Sequence, residues 1–131
     1  MKCLSKMALV GAFGIVAGAA AMGVLRAETA AAPAYLIVNI EEVKNDVAWR
    51  QYRNATPATE AAFGGRALVR AAKPIMIDSS PLPKGTWVVL QFPSVKSLKD
   101  WWNSPAYSAL RPLRENSTVG RLFALEGVPA P

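Results

Sequence analysis

TWVVLQF, Thr86–Phe92, is the stretch whose reading decides the fold. Five of its seven residues are β-branched or aromatic, the composition of a pleated strand. Both alternate sets are apolar: Trp87 and Val89 fall on one face, Val88, Leu90 and Phe92 on the other. A strand apolar on both sides must be covered on both. Every segment around it is therefore a candidate cover or a candidate neighbour.

Toward the N-terminus, SSPLPKG (79–85) is a loop by composition. RALVRAA (66–72) reads as another strand, with Arg66, Leu68 and Arg70 on one face and Ala67, Val69 and Ala71 on the other. Lys73-Pro74 interrupts it, and Ile75–Ile77 is expected to continue it briefly. Further back, Trp49, Tyr52, Thr56, Thr59 and Phe63 recur at spacings of three or four, one stripe of a helix capped by Asn45 or Asp46. Arg50, Arg53 and Glu60 lie off that stripe. Pro57 is expected to kink or restart the helix, and Gly64-Gly65 to close it. AYLIVNI (34–40) precedes it, a strand again apolar on both faces.

Toward the C-terminus, Ser94 caps a helix whose apolar side is Val95, Leu98 and one of Trp101 and Trp102. Adjacent tryptophans cannot share a helix face. Ser104-Pro105 starts a second helix directly, interrupted late by Pro112. VGRLFALE (119–126) is the last strand and Gly127–Pro131 a tail. The order βαββαβ predicts an α+β, ferredoxin-like fold, a four-stranded antiparallel sheet with its helices on one face. The second apolar face then calls for a copy of the chain, giving an obligate homodimer that closes into a barrel-like core.

The first 27 residues read differently. Lys2 and Lys6 precede an uncharged run from Met7 to Leu25, and Arg26 and small residues follow: the order of a secretory signal peptide. An uncleaved membrane anchor is the alternative, since the run is just long enough to span a bilayer. The expected organisation is a leader over 1–27, a linker over 28–33 and one domain over 34–128, in a periplasmic or secreted protein. Without the leader the 15 basic residues become 12 against nine acids, so the net charge of +6 falls to +3. That is too little for a nucleic-acid-binding surface.

The residue inventory excludes whole classes of chemistry. There is no histidine, and Cys3, the single cysteine, lies in the leader. Ser-His-Asp and Cys-His mechanisms are ruled out, and so is a thiolate metal site. Scattered carboxylates are poor metal ligands, and Gly64-Gly65 follows a helix instead of opening one, so it is a turn and not a phosphate loop. Neither a metal nor a cofactor is expected.

The pieces AYLIVNIEEV, WRQYRNATPATEAAFGGRALVR and SPAYSALRPLRENSTVGRLFALEGV resemble the bacterial family called domain of unknown function 1330, over about Ala34 to Val128. The most specific parts are Phe63-Gly64-Gly65-Arg66, Arg70, Ser104-Pro105-x-Tyr107 and Arg111. The resemblance implies the dimeric α/β-barrel superfamily and no settled activity. Relatives by fold include cofactor-free monooxygenases, lactone isomerases, haem-degrading enzymes and ligand-sensing domains, among which fold cannot choose.

Candidate ligand-binding residues follow from chemistry and placement. Tyr107 and Arg111 are four apart on one helix and, with Arg70 from the second strand, offer a hydroxyl and guanidinium groups to a carboxylate or enolate. Tyr52 and Trp101 are candidates to line a cavity between helices and sheet, with plain core packing as the alternative for both. Asn39 and Gln91, polar inside apolar strands, are candidates for its few polar groups or plain strand-end residues. The expected function is binding of a small, mainly apolar or anionic molecule. A cofactor-independent monooxygenase or isomerase is the first alternative, and a structural or interaction module the second.

Overall fold

The structure, a computed structural model, describes residues 31–131. The leader expected over 1–27, and the first half of the linker after it, lie outside the described residues. No helix among the described residues is long and apolar enough to cross a membrane.

The elements are β1 (Ala34–Val43), α1 (Asp46–Ala61), β2 (Arg66–Ala72), β3 (Thr86–Phe92), α2 (Val95–Trp102), α3 (Pro105–Ser117) and β4 (Thr118–Glu126). The four strands form one antiparallel sheet in the order β2-β3-β1-β4. This is the ferredoxin-like arrangement, with the second helical unit split into α2 and α3. Of the strands apolar on both faces, β1 and β3 lie side by side in the centre, where both faces are most enclosed, and β4 lies at the edge beside β1.

Caps set the helix starts. The Asn45 side chain accepts from the Val47 and Ala48 amides at 3.1 Å, Ser94 from Ser97 at 3.0 Å and Ser104 from Tyr107 at 3.3 Å. Beyond α1 the chain reverses through Gly64, at φ +75°, and Gly65, where a Cβ would lie 2.6 Å from the Phe92 ring. Leu36, Val38 and Ile40 of β1 and Leu90 and Phe92 of β3 point to the helices. They meet Tyr52, Leu98, Trp101 and Tyr107 there, forming the core.

Four expectations need correction. Pro57 does not break α1 and Pro112 does not cut α3 short; each sits inside a continuous helix. The carbonyls each proline leaves without a donor belong to Arg53 and Ser108, both exposed, so water can take over the lost bond. Ile75–Ile77 does not extend β2: the last paired residue is Ala72, which meets Trp87 after an irregularity that includes Ala71 at φ +51°. Nor does β2 alternate evenly. Its register against β3 shifts between Ala67 and Val69 and again between Val69 and Ala72, as at a β-bulge. Arg66, paired across to Gln91, therefore lies on the open face, while Arg70 lies on the helix face.

Candidate functional site

The space between helices and sheet has two ends. Under α2 and α3 it is filled. Trp101 and Tyr107 lie ring to ring at 4.0 Å, Phe92 stands 5.2 Å from Trp101, and all three are almost wholly buried. Trp102, beside Trp101, is half-buried and covered by the Arg111 guanidinium 4.2 Å above its ring. Arg111 also donates through Nη2 to the Trp102 carbonyl. It forms no ion pair with Asp100 or Glu115, whose partners are Lys96 and Arg114.

Under α1 the space stays open as a cavity of about 210 Å³. Its floor is the apolar sheet surface, Leu36, Val38 and Ile40 with Val88, Leu90 and Leu122. Trp49, Tyr52 and Trp101 supply aromatic walls. The polar groups in the lining are Thr56, Glu60 and Arg53 from α1, Arg70 from β2 and Thr86 from β3. Arg53 is exposed and the Arg70 side chain half-exposed, so these cations mark where the cavity meets solvent. Ala71, held in the left-handed region, also lines it. A non-glycine residue in that conformation costs about 1–3 kcal/mol.

Three of the lining side chains, Tyr52, Thr56 and Trp101, already have hydrogen-bond partners. The Tyr52 and Tyr107 hydroxyls share a buried hydrogen bond of 3.1 Å. Burial, reinforced by Tyr107, pushes the Tyr52 hydroxyl far above its ordinary pKa and keeps it neutral. Thr56 donates to the Tyr52 carbonyl at 2.7 Å, and the Trp101 indole donates to Thr59 at 3.0 Å. Glu60 differs. The residue is 5 % exposed, and its one charged neighbour among the described residues, Arg70 Nη2, is 3.9 Å from its carboxylate. Desolvation raises its pKa, and Arg70 offsets only part of the rise.

The candidates from sequence are thus distributed unevenly. Tyr52, Trp101 and Arg70 come together in the cavity wall. Tyr107 sits behind the wall, touching the cavity only through its bond to Tyr52. Arg111 lies outside, folded over Trp102. Asn39 is on the opposite face of the sheet, where its Nδ2 donates to the Lys84 and Thr86 carbonyls at 3.0 and 3.4 Å. Gln91 is on that face too, donating to the Tyr35 hydroxyl and accepting from Arg66. Strand alternation puts odd-numbered residues of β1 and β3 away from the helices, so neither amide can reach the cavity.

Glu60 was missed. Its signal was present in the spacing: Tyr52, Thr56 and Glu60, each four apart, are the buried residues of α1. The stripe drawn through Thr59 and Phe63 favoured apolar bulk and passed one residue to the side. Among the described residues no cluster of three metal-ligating side chains occurs.

A family model described as "Domain of unknown function (DUF1330)" matches residues 33–128. Among solved structures, the methylated form of a Rhodopseudomonas palustris protein superposes with a TM-score of 0.60 at 15% identity, over 79% of this chain and 86% of that one. Another crystal structure of that protein, described as of unknown function, gives 0.57 at 14% identity, over 74% and 83%. A dimeric ferredoxin-like protein of unknown function from Bacteroides fragilis gives 0.47 at 13% identity, over 72% and 95%. At these identities the two superpositions above 0.5 speak to the fold alone, and the third carries no argument. No curated protein matches the chain.

Proposed function

The chain belongs to the DUF1330 family of domains of unknown function, and from that premise we propose that it is an exported homodimer that holds a small, mainly apolar molecule between helices and sheet. The observation that carries this reading is the cavity under α1, about 210 Å³ of apolar and aromatic wall with a few polar groups in its lining. Such a form, mostly apolar with a few convergent polar groups, is that of a small-molecule site. The rest of the same layer is closely packed, so the opening is local to α1 and not a general looseness of the core.

The homodimer is supported by the uncovered side of the sheet. Ile37 pairs across to Val89 and Phe123, and Tyr35 to Leu125, making one apolar patch in which Phe123 and Leu125 are 44 % and 54 % exposed. A patch of this sort on a sheet face is what a second copy would cover. Light scattering at micromolar concentration should give a dimer, and a monomer would overturn this part. Export rests on the leader pattern of residues 1–27; the N-terminus of the protein recovered from its host tests it.

Binding is tested by thermal denaturation of the purified protein with single-ring aromatic probes. A probe at 100 times its Kd should stabilise the fold by about 2.7 kcal/mol. Leu122→Trp, which fills the cavity from its floor, should abolish the shift while leaving the protein folded. Equal shifts in the two proteins, or none with any probe, would refute the reading. A monooxygenase or isomerase using Tyr107 and Arg111 is less well supported, because Arg111 is held over Trp102 and away from the cavity.

A further inference from the structure

Resting on that cavity, we propose that Glu60 is its recognition group and that the ligand is an uncharged, single-ring molecule whose hydroxyl donates a hydrogen bond to the Glu60 carboxylate. Three observations lead there.

Glu60 is placed at a cost to the fold. Its side chain is 6 % exposed, yet Arg70 stands 3.9 Å away, beyond hydrogen-bond distance, and is itself half in solvent. A carboxylate desolvated without a close partner destabilises the folded state. The neighbouring buried groups of α1 carry no such deficit, since Tyr52 bonds Tyr107 and Thr56 bonds the Tyr52 carbonyl. Glu60 is the charged member of this stripe, its carboxylate has no hydrogen-bond partner, and it lines the cavity. Unmet acceptors in an otherwise apolar pocket select a ligand that brings a donor.

Size restricts that ligand. An engineered apolar cavity of roughly 150 Å³ holds benzene. About 210 Å³ admits one ring with a small substituent and no second ring. Trp49, Tyr52 and Trp101 offer ring faces, and the sheet floor is aliphatic.

Charge restricts it further. A ligand carboxylate would meet the Glu60 carboxylate, and a ligand ammonium would meet Arg70 and Arg53 at the mouth. A neutral hydroxyl avoids both repulsions and satisfies the acceptor. The groups facing Glu60 that could alter its titration are Arg70 on β2, Arg53 on α1 and Tyr52 on α1. The lining residues from β1, β3, β4 and α2 carry no charge. Tyr52 stays neutral, so Glu60 is the group whose protonation governs binding through the acidic and neutral range. Burial raises its pKa, and protonation removes the charged acceptor.

Calorimetric titration of the full-length protein with p-cresol, toluene and benzoate tests the assignment. p-Cresol should bind about tenfold or more tightly than toluene, the advantage of a hydrogen bond to a charged acceptor. It should weaken as the pH is lowered through the raised pKa of Glu60, with toluene unaffected. Glu60→Gln keeps a neutral acceptor and removes the charge, so it should weaken p-cresol severalfold toward the toluene level, flatten its pH profile and leave toluene unchanged. Arg70→Gln keeps Glu60 in place and removes its counter-cation, so the midpoint of the p-cresol profile should move to higher pH. Benzoate binding more tightly than p-cresol overturns the proposal, as does p-cresol affinity indifferent to Glu60→Gln. Equal affinity for p-cresol and toluene, lost in Leu122→Trp, keeps the cavity and discards the role of Glu60. Binding of none of the three removes both.

Discussion

The two ends of the layer between helices and sheet contain similar residues and do opposite things. Under α2 and α3, Phe92, Trp101 and Tyr107 fill the space and Arg111 closes over Trp102. Under α1, Trp49 and Tyr52 stack on each other 5.4 Å apart and leave a cavity beside them. Aromatic and arginine content therefore does not mark a site. What separates the ends is the kind of polar group left over. At the closed end the Tyr107 hydroxyl, the Trp101 indole and Arg111 Nη2 find protein partners and the buried Nε donors of Arg111 and Arg114 do not. At the open end the group without a hydrogen bond is an acceptor, the Glu60 carboxylate, lining a cavity.

That contrast can be broken at several points. Tyr107→Ala should have the largest effect, destabilising by about 3–5 kcal/mol in urea denaturation, the range for truncating a large buried aromatic. A loss below about 1 kcal/mol would show the closed end to be loosely packed. Arg111→Ala removes a cation over Trp102 and a bond to its carbonyl, and should cost about 2 kcal/mol. Its p-cresol affinity should match the wild type, and a tenfold fall would move Arg111 into the site. Asn39→Ala frees the Lys84 and Thr86 carbonyls on the far side of the sheet, costing about 1 kcal/mol with binding again unchanged.

The smallest effect has the opposite sign. The folded-state pKa of Glu60 lies above its ordinary value of 4.5, so the folded chain holds this proton more tightly than the unfolded chain. The protonated form contributes stability that is complete below the unfolded value and is lost as the pH rises through the raised one. Glu60→Gln should not show this loss, and at neutral pH should melt slightly higher than the wild type. A lower melting temperature would make the Glu60–Arg70 pair a structural ion pair. It would also weaken the contrast between the two ends.

Much of the fold was legible because it depends on local periodicity. The alternation in AYLIVNI and TWVVLQF marks two central strands, and Asn45, Ser94 and Ser104 each cap a helix where their side chains suggest. The prolines misled because their cost depends on whether the freed carbonyl reaches water. Arg53 and Ser108 are exposed, which only the packing of α1 and α3 decides. The site was less legible. Arg70 reached the cavity through a register shift in β2, a non-local property of its pairing with β3. Glu60 was set aside because a carboxylate is normally assigned to the solvent side of a helix.

By itself, then, the sequence determined the elements, their order and the apolar character of both sheet faces, since these follow from side-chain spacing along the chain. Only the tertiary structure decided which aromatics pack and which leave room, which arginine turns inward, and that Glu60 is buried beside a cavity. Those outcomes depend on distances between residues far apart in sequence, such as Glu60 to Arg70 and Tyr52 to Tyr107, which no local pattern encodes.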